Sequence, residues 1–458
     1  MNIEGIRSSF KAYDIRGKVP DELNADVCSR LGKALASEFP GTRRVVIGRD
    51  VRPSGLELQQ ALSDALRDYG IEVTDIGVCG TEEIYFATAR HGFDLGIMLT
   101  ASHNPSEYNG IKLVKSGAVP ISGDSGLFAL RDRVINSDFA PASGISRGEL
   151  VQQSFRDEYI RFMLDSCGPS MRAKPFKIVM NPGNGCAGYV LEQLLPHLPG
   201  EFVIIQGEPD GSFPNGIPNP LLPERREDTA KAVREHKADL GLAWDGDFDR
   251  CFFYDADGNF VESYYLLGLL AQDALRRHPG GKIIHDTRLF WNTVELVNEA
   301  GGIPVQGKTG HAFMKERMRR EDAVYGGEMS AHHYFRDFYY CDSGMLPWLS
   351  LLEIIASSGK GLAELVEARV RAYPCSGEIN FKVTDAEAAR QAVFERFAPV
   401  IRQKDYVDGL SADCGEWRFN LRSSNTEPLL RLNVESRGNK ALMLEKTEEI
   451  SEIIRKFS

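Results

Sequence analysis

The stretch DLGIMLTASHNPSEYNGIKL, residues 94–113, runs from a continuous apolar segment straight into hydroxyls, a histidine and an Asn-Pro turn. Its opening tripeptide returns at 239–241, where DLGLAWDGDFDR (239–250) again carries an apolar run into a polar loop. A third run of this kind, DAVYGGEMSAHH, occupies 322–333. Each follows an earlier β-rich run by way of a helix and a glycine-marked turn: RRVVIGRD (43–50), KIVMNPGNG (177–185) and KIIHDTR (282–288). Apolar runs without alternation, separated by helical segments, predict buried and largely parallel strands. In such sheets ligands gather at the carboxyl ends of the strands, and all three polar loops fall there.

Outward from these runs, Leu58, Leu62, Leu66 and Tyr69 form a helical stripe closed by Gly70, a core-facing pattern rather than a site. APASGISRGEL (140–150) reads as a linker, and the pattern changes again around 367–375. Beyond it, alternation in EWRFNLR (416–422) and LLRLNVES (429–436) predicts a half-exposed, largely antiparallel sheet. Helices at about 385–397 and 441–457 would cover one face. The expected fold is therefore α/β: three related α/β domains of shared topology and a smaller C-terminal α+β domain. The boundaries expected are 1–150 with the TASHNP loop, 151–256 with DGDFDR, 257–368 with GEMSAHH and 369–458 with RSSNTEP.

At 458 residues the chain can bury several cores, and no segment has the length and apolarity of a signal peptide or a membrane span. A net charge of −11 argues against a nucleic-acid or anionic-membrane surface, so an anionic substrate must be met by local arginines and lysines. The eight cysteines have no CxxC spacing and are thinly spread, which predicts reduced, packed thiols in a cytoplasmic protein and no zinc site. The sequence leaves the oligomeric state open.

DGDFDR places Asp245, Asp247 and Asp249 at alternate positions just after a strand. Three carboxylates so close repel unless a hard cation joins them, and an all-oxygen donor set suits Mg²⁺ or Ca²⁺. An EF-hand is excluded, because Arg250 and Ala256 stand where its glycine and glutamate belong. A phosphatase loop with an aspartyl nucleophile fits poorly, and a solvated acidic turn is the bland alternative. Three side chains do not complete an octahedron, and a serine phosphate at Ser102 brings further oxygens and about two negative charges. His103 and Lys112 would then be candidates for moving protons on substrate hydroxyls, although TASHNP taken without the other motifs reads better as an ordinary turn locked by Pro105. In RSSNTEP (422–428), Arg422, Ser424, Asn425 and Thr426, with Arg431 beyond, match the oxygens of a bound phosphate; hairpin loops favour the same residues. Glu328 and Ser330 could read vicinal sugar hydroxyls, whereas His332 and His333, adjacent on extended backbone, point apart and make a poor metal pair. KTGH (308–311) adds His311, and KAYDIRG (11–17) adds Tyr13 and Arg16.

With KAYDIRG, TASHNP followed by NGIK, DGDFDR, KTGH, GEMSAHH and RSSNTEP in this order, the chain resembles the α-D-phosphohexomutase superfamily over essentially its whole length. The resemblance is closest to the bacterial phosphomannomutase/phosphoglucomutase branch. It implies four domains around one central cleft, a phosphoserine at Ser102 with His103, Lys112 and Arg16 as catalytic neighbours, and Mg²⁺ held by Asp245, Asp247, Asp249 and that serine. It also implies Arg250 on phosphate or sugar, Glu328 and Ser330 on hydroxyls with His311 and His332 nearby, and Tyr13, Arg288, Arg422, Ser424, Asn425 and Thr426 on the distal phosphate. Arg288 stands where some relatives have lysine, and Ala331 where glycine is frequent. The implied reaction converts mannose 6-phosphate and mannose 1-phosphate, and glucose phosphates too, through a hexose 1,6-bisphosphate that also serves as activator, feeding nucleotide-sugar and polysaccharide synthesis. Hexose phosphates are the expected partners. A serine- and metal-dependent sugar-phosphate phosphatase and a non-catalytic sugar-phosphate sensor are the alternatives.

Overall fold

A strand that is apolar at every position needs cover on both faces, and the paired runs of the sequence obtain it in three sheets built alike. In the computed structural model, which describes residues 2–423 and 429–458, Arg44–Arg49 and Leu95–Leu99 are neighbouring parallel strands with Val45 opposite Leu95. Phe176–Asn181 and Leu240–Trp244 repeat the arrangement with Ile178 opposite Leu240. Lys282–His285 and Tyr325–Gly327 repeat it again, Ile283 opposite Tyr325. Every residue of Leu95–Leu99 and of Leu240–Trp244 is buried. The polar loops begin where these second strands end.

The sheets are less parallel than the apolar runs suggest. After TASHNP the chain returns as Tyr108–Lys115, antiparallel to Leu95–Leu99, and after DGDFDR as Cys251–Tyr254, antiparallel to Leu240–Trp244. A parallel return needs a crossover of a dozen residues or more, so loops this short fold back as hairpins. The hairpin matters to the site, because it sets Lys112 directly across from Met98. Ile15–Lys18, from KAYDIRG, then adds to the outer side of Tyr108–Lys115, with Arg16 opposite Gly110.

Helix Gly55–Arg67 buries Leu58, Leu62 and Leu66 against the first sheet, together with Val45, Ile47, Ile97 and Leu99. Leu150–Gln152, at the end of the segment read as a linker, instead forms an edge strand of that sheet, Leu150 opposite Val73.

The chain divides into two compact units, one of residues 1–260 with 334–357 and one of 261–333 with 358–458. The second unit holds the C-terminal sheet, all of whose strand pairs are antiparallel. Its helices run Ala386–Phe397 and Lys440–Arg455. Trp417, Phe419, Leu421, Leu430, Leu432 and Val434 face these helices and form their core.

The other face of that sheet is not exposed, contrary to the alternation. Arg418, Asn420, Asn433 and Glu435 are all buried. Arg418 donates to the carbonyls of Thr287 (3.0 Å) and Arg288 (2.8 Å) and to Glu435 (2.8 Å), and Glu435 also takes the N–H of Phe290 at 3.0 Å. Alternation reports which positions are polar; it does not distinguish water from a polar partner within the same unit. Among the described residues, no helix is long and apolar enough to cross a membrane, and all eight cysteines are free.

Candidate active site

In the first unit, strand Leu95–Leu99 delivers Ser102 in a left-handed conformation, φ 50°. A side chain other than glycine's holds that region only when its surroundings fix it. Here the Ser102 N–H donates to Thr100 Oγ1 at 2.8 Å and its carbonyl accepts from Arg52 at 3.0 Å. The turn aims Ser102 Oγ at the aspartate loop: it donates to Asp245 Oδ2 at 2.7 Å and lies 3.2 Å from an Arg250 nitrogen and 3.0 Å from His103 Nδ1. Gly246 is required for this approach, since a Cβ there would lie 2.6 Å from the Ser102 carbonyl oxygen.

Asp245, Asp247 and Asp249 are buried, and each offers an oxygen within 4.8 Å of the other two. Arg250 pairs with Asp245 at 2.6 Å, and the Lys112 ammonium lies 2.7 Å from Asp247 and 2.6 Å from Asp249. Burial pushes the Asp249 carboxyl well up, with Asp247 adding to the rise, and also lifts Asp245. Burial would raise Asp247 as well, but Lys112 and the Thr81 hydroxyl outweigh it and hold that carboxyl low. Burial opposes the charge on Lys112, and the two carboxylates overcome that to raise its pKa. His103 is driven well below the ordinary imidazole range by burial, then by Arg250 and Arg16, so it is neutral. Its Nδ1 faces Arg250, which has only donors, and therefore carries the lone pair.

A hard divalent cation fits this donor set. The three carboxylates supply oxygen only, and Asp247 Oδ1 is buried with no hydrogen-bond partner. Arg16, on strand Ile15–Lys18, donates to Asn104 of the serine loop at 2.7 Å and is braced by Asp14 at 2.7 Å. Tyr13 sits half-buried in the bend just before that strand.

The second unit gathers most of the predicted recognition residues. Glu328 is buried beside Arg288 (3.7 Å) and His332 (3.6 Å), and it accepts the Gly310 N–H at 2.8 Å, at the start of helix His311–Glu321. Ser330 Oγ is 3.3 Å from Arg288 and 3.2 Å from His332 Nδ1, and the His311 and His332 rings stack at 6.3 Å. Ala331 adopts φ 70°, a conformation that glycine meets without strain. His333 turns the other way, buried against the Tyr325 hydroxyl at 2.6 Å. Arg422 lies one residue before the end of strand Trp417–Ser423 and shares a Glu378 oxygen with Arg288; Ser424, Asn425 and Thr426 lie outside the described residues.

Several contributors carried no signal that sequence reasoning used. Glu378 gathers three arginines, Arg288 and Arg422 on one oxygen and Arg431 on the other, each at 3.2 Å. Burial opposes its charge, but the arginines hold its carboxyl down at about 2. Thr81 binds Asp247, and Asp50 with Arg52 supports the serine loop. A charged residue closing a first-run strand, as in GRD and HDTR, was the available hint.

Ser102 Oγ beside Arg250 and a metal-competent carboxylate cluster thus stand in one unit, and Glu328, Ser330 and Arg288 gather in the other. The three α/β domain families of phosphoglucomutase/phosphomannomutase match residues 7–140 (I), 157–258 (II) and 262–373 (III), and the C-terminal domain family matches 378–453. The chain belongs to this family, in its bacterial branch, and is a phosphohexose mutase, an isomerase. It is 59% identical to the phosphohexose mutases of Xanthomonas campestris pv. campestris, over 98% of this chain and 99% of that one. It is 54% identical to the phosphomannomutase of Salmonella montevideo, over 97% and 98%. A crystal structure of a phosphoglucomutase/phosphomannomutase family protein from Burkholderia thailandensis superposes with a TM-score of 0.87 at 33% identity, covering 98% of this chain and 97% of that one.

Proposed function

We propose that the chain interconverts mannose 6-phosphate and mannose 1-phosphate, and glucose phosphates as well, through a phosphoserine at Ser102 and a hexose 1,6-bisphosphate. The observation that carries this reading is the aim of Ser102 Oγ, within hydrogen-bond reach of Asp245, Arg250 and His103 on an enforced left-handed turn. The mannose assignment draws on the name of the Salmonella relative.

Phospho-Ser102 gives its phosphoryl group to a substrate hydroxyl, the bisphosphate turns end for end, and its other phosphoryl group returns to Ser102 Oγ. Little covalent work falls to the protein, so positioning and charge neutralisation carry the rate. Arg250 and Arg16 neutralise phosphoryl oxygens. His103, Lys112 and Arg16 act as the catalytic neighbours of Ser102, and the neutral His103 turns its Nδ1 lone pair to Arg250 and so orients that guanidinium. Asp245, Asp247 and Asp249 would hold Mg²⁺ with an oxygen of the phosphoserine, and when bound it supplies neutralising charge at the transferred group. Glu328 and Ser330 read the sugar's vicinal hydroxyls with His311 and His332 beside them, while Arg288 and Arg422, with Tyr13, Ser424, Asn425 and Thr426, take the other phosphate. The free cysteines support a cytoplasmic setting.

Intact mass before and after incubation with glucose 1,6-bisphosphate tests the phosphoserine, with Ser102→Ala as the comparison. Wild-type protein should gain one phosphoryl group and turn over mannose 1-phosphate; Ser102→Ala should do neither. Steady phosphate release without isomer formation would point to a phosphatase instead, and binding without turnover to a sensor.

A further inference from the structure

Arg52 is a buried cation that stands beneath the serine loop and spends all its donors there and on Asp50. Its side chain has no solvent exposure. Nε donates to Asp50 Oδ2 at 3.1 Å. One terminal nitrogen donates to the carbonyls of Pro105 (2.6 Å) and Tyr108 (3.0 Å), the other to those of Ser102 (3.0 Å) and Asn104 (2.6 Å). A guanidinium has five N–H donors in a rigid fork, and all five have a partner here. Four of those partners are backbone oxygens of the loop that presents Ser102.

The same assembly holds the other side of the peptide. Asp50 Oδ2 also accepts from Thr100 Oγ1 at 2.7 Å, and Thr100 Oγ1 in turn accepts the Ser102 N–H at 2.8 Å. Both backbone polar groups of Ser102, a residue at φ 50°, are thus tied to one Asp50–Arg52 pair. The Phe213 ring lies 5.2 Å from the guanidinium carbon and helps to close it off. Burial lowers the pKa of Arg52, and Asp50 offsets part of that cost.

The third repeat contains the same device in the equivalent place, after its own first strand. Arg288 donates its N–H to Asp286 Oδ1 (3.0 Å) and its Nε to Asp286 Oδ2 (2.9 Å), as Arg52 does to Asp50 at 2.9 and 3.1 Å. Asp286 Oδ2 also takes the Met329 N–H at 3.0 Å, so the Asp-x-Arg pair again grips the polar loop of its repeat. In the second repeat Asn181 and Gly183 occupy the corresponding positions, and the Gly183 N–H donates to Asn181 Oδ1 at 2.9 Å. The two loops held by an arginine are the phosphoryl-carrying loop and the sugar-reading loop.

We propose that Arg52 is a positioning residue for phosphoryl transfer: by fixing the four carbonyls of residues 102–108 it holds Ser102 Oγ on Asp245 and Arg250, without contacting substrate. This rests on Ser102 being the phosphorylated group. An Arg52→Lys ammonium keeps the charge but cannot span four carbonyls and a carboxylate, so the loop relaxes while the buried charge stays paired with Asp50. A displacement of about 1 Å at a reacting atom costs about 100-fold in rate.

The test measures kcat and KM for glucose 1-phosphate, with Mg²⁺ and glucose 1,6-bisphosphate, in Arg52→Lys, Arg52→Met and Ser102→Ala, with melting temperature and the rate of Ser102 phosphorylation by intact mass. Arg52→Lys should fold, lose about 100-fold in kcat and in phosphorylation rate, and keep KM within about threefold, because groups elsewhere bind the sugar phosphate. Arg52→Met tests the same point with the charge removed, and if it fails to fold, Arg52→Lys still decides. A folded Arg52→Lys with kcat within about threefold of wild type, or with KM raised and kcat unchanged, overturns the proposal. Turnover by Ser102→Ala would instead overturn the phosphoserine reading.

Discussion

Glu378→Gln should weaken the free protein and at the same time sharpen its response to phosphate. The glutamate carboxylate sits among Arg288, Arg422 and Arg431, each 3.2 Å away, and its carboxyl titrates at about 2 rather than near 4.5. That difference corresponds to about 3 kcal/mol of favourable interaction with the charged form. The figure agrees with the ~3–5 kcal/mol lost when one partner of a buried ion pair is removed. Glutamine keeps the shape but removes the carboxylate that Arg288, Arg422 and Arg431 share, while Asp286 stays paired with Arg288. The expected result at neutral pH without ligand is a melting transition lowered by about 5–10 °C. A folded-state pKa below the unfolded one gives stability that is complete above about pH 4.5 and is lost as the pH falls toward about 2. The gap between wild type and variant should therefore close across that window. Inorganic phosphate should narrow the gap at neutral pH, because an anion that binds the folded state stabilises most where the charge of Glu378 has been removed from the cluster. Differential scanning calorimetry from pH 3 to about pH 7, with and without phosphate, reads both effects. A variant as stable as wild type without ligand, or one that phosphate stabilises no more than wild type, would refute the assignment of Glu378 as the counter-ion of this arginine cluster.

Chelation should abolish turnover and added Mg²⁺ restore it, while Asp247→Asn should raise the Mg²⁺ concentration needed for half-maximal rate by at least about tenfold; full activity in demonstrably metal-free enzyme would count against the aspartate site. Arg422→Ala should raise KM by about tenfold or more with kcat little changed, since a distal phosphate is held alike in ground and transition states; steady-state kinetics showing the reverse would give that arginine another role. Mannose and glucose phosphates should differ by only several-fold in kcat/KM, because the vicinal pair that Glu328 and Ser330 can meet in both orientations of the bisphosphate is O3 and O4, and the two sugars differ at C2 alone. Glucosamine 6-phosphate should be poor, because Met329, whose sulfur accepts from Asn433 Nδ2 at 3.3 Å, offers an ammonium group no strong acceptor. Equal kcat/KM for glucosamine and mannose phosphates would overturn that assignment.

The sequence by itself determined the paired apolar strands of the three repeats, the polar loops that follow them and the order in which they occur. DLGIML and DLGLAW are apolar at successive positions, and that is a local property of a strand buried on both faces, as Leu95–Leu99 and Leu240–Trp244 are. The alternation of Asp245, Asp247 and Asp249 was equally visible, because residues two apart need no distant partner to lie close. The stripe of Leu58, Leu62 and Leu66 was legible for the same reason.

What only the tertiary structure decided are pairings between residues far apart in the chain. Lys112 meets Asp247 and Asp249 across 135 and 137 positions, a pairing of cation and carboxylates that no local pattern announces. Arg52 reaches the serine loop across 50 positions, Glu378 reaches Arg288 across 90, and neither side chain differs in sequence from an ordinary surface charge. The polar face of EWRFNLR read as solvent-exposed, yet Arg418 and Glu435 are buried against each other and against the backbone at 287–290. Hydrophobic period records how a segment partitions between water and the interior, whereas a buried charge is tolerated only where the fold supplies its partner. The partner is fixed by chain topology, and no local pattern contains it.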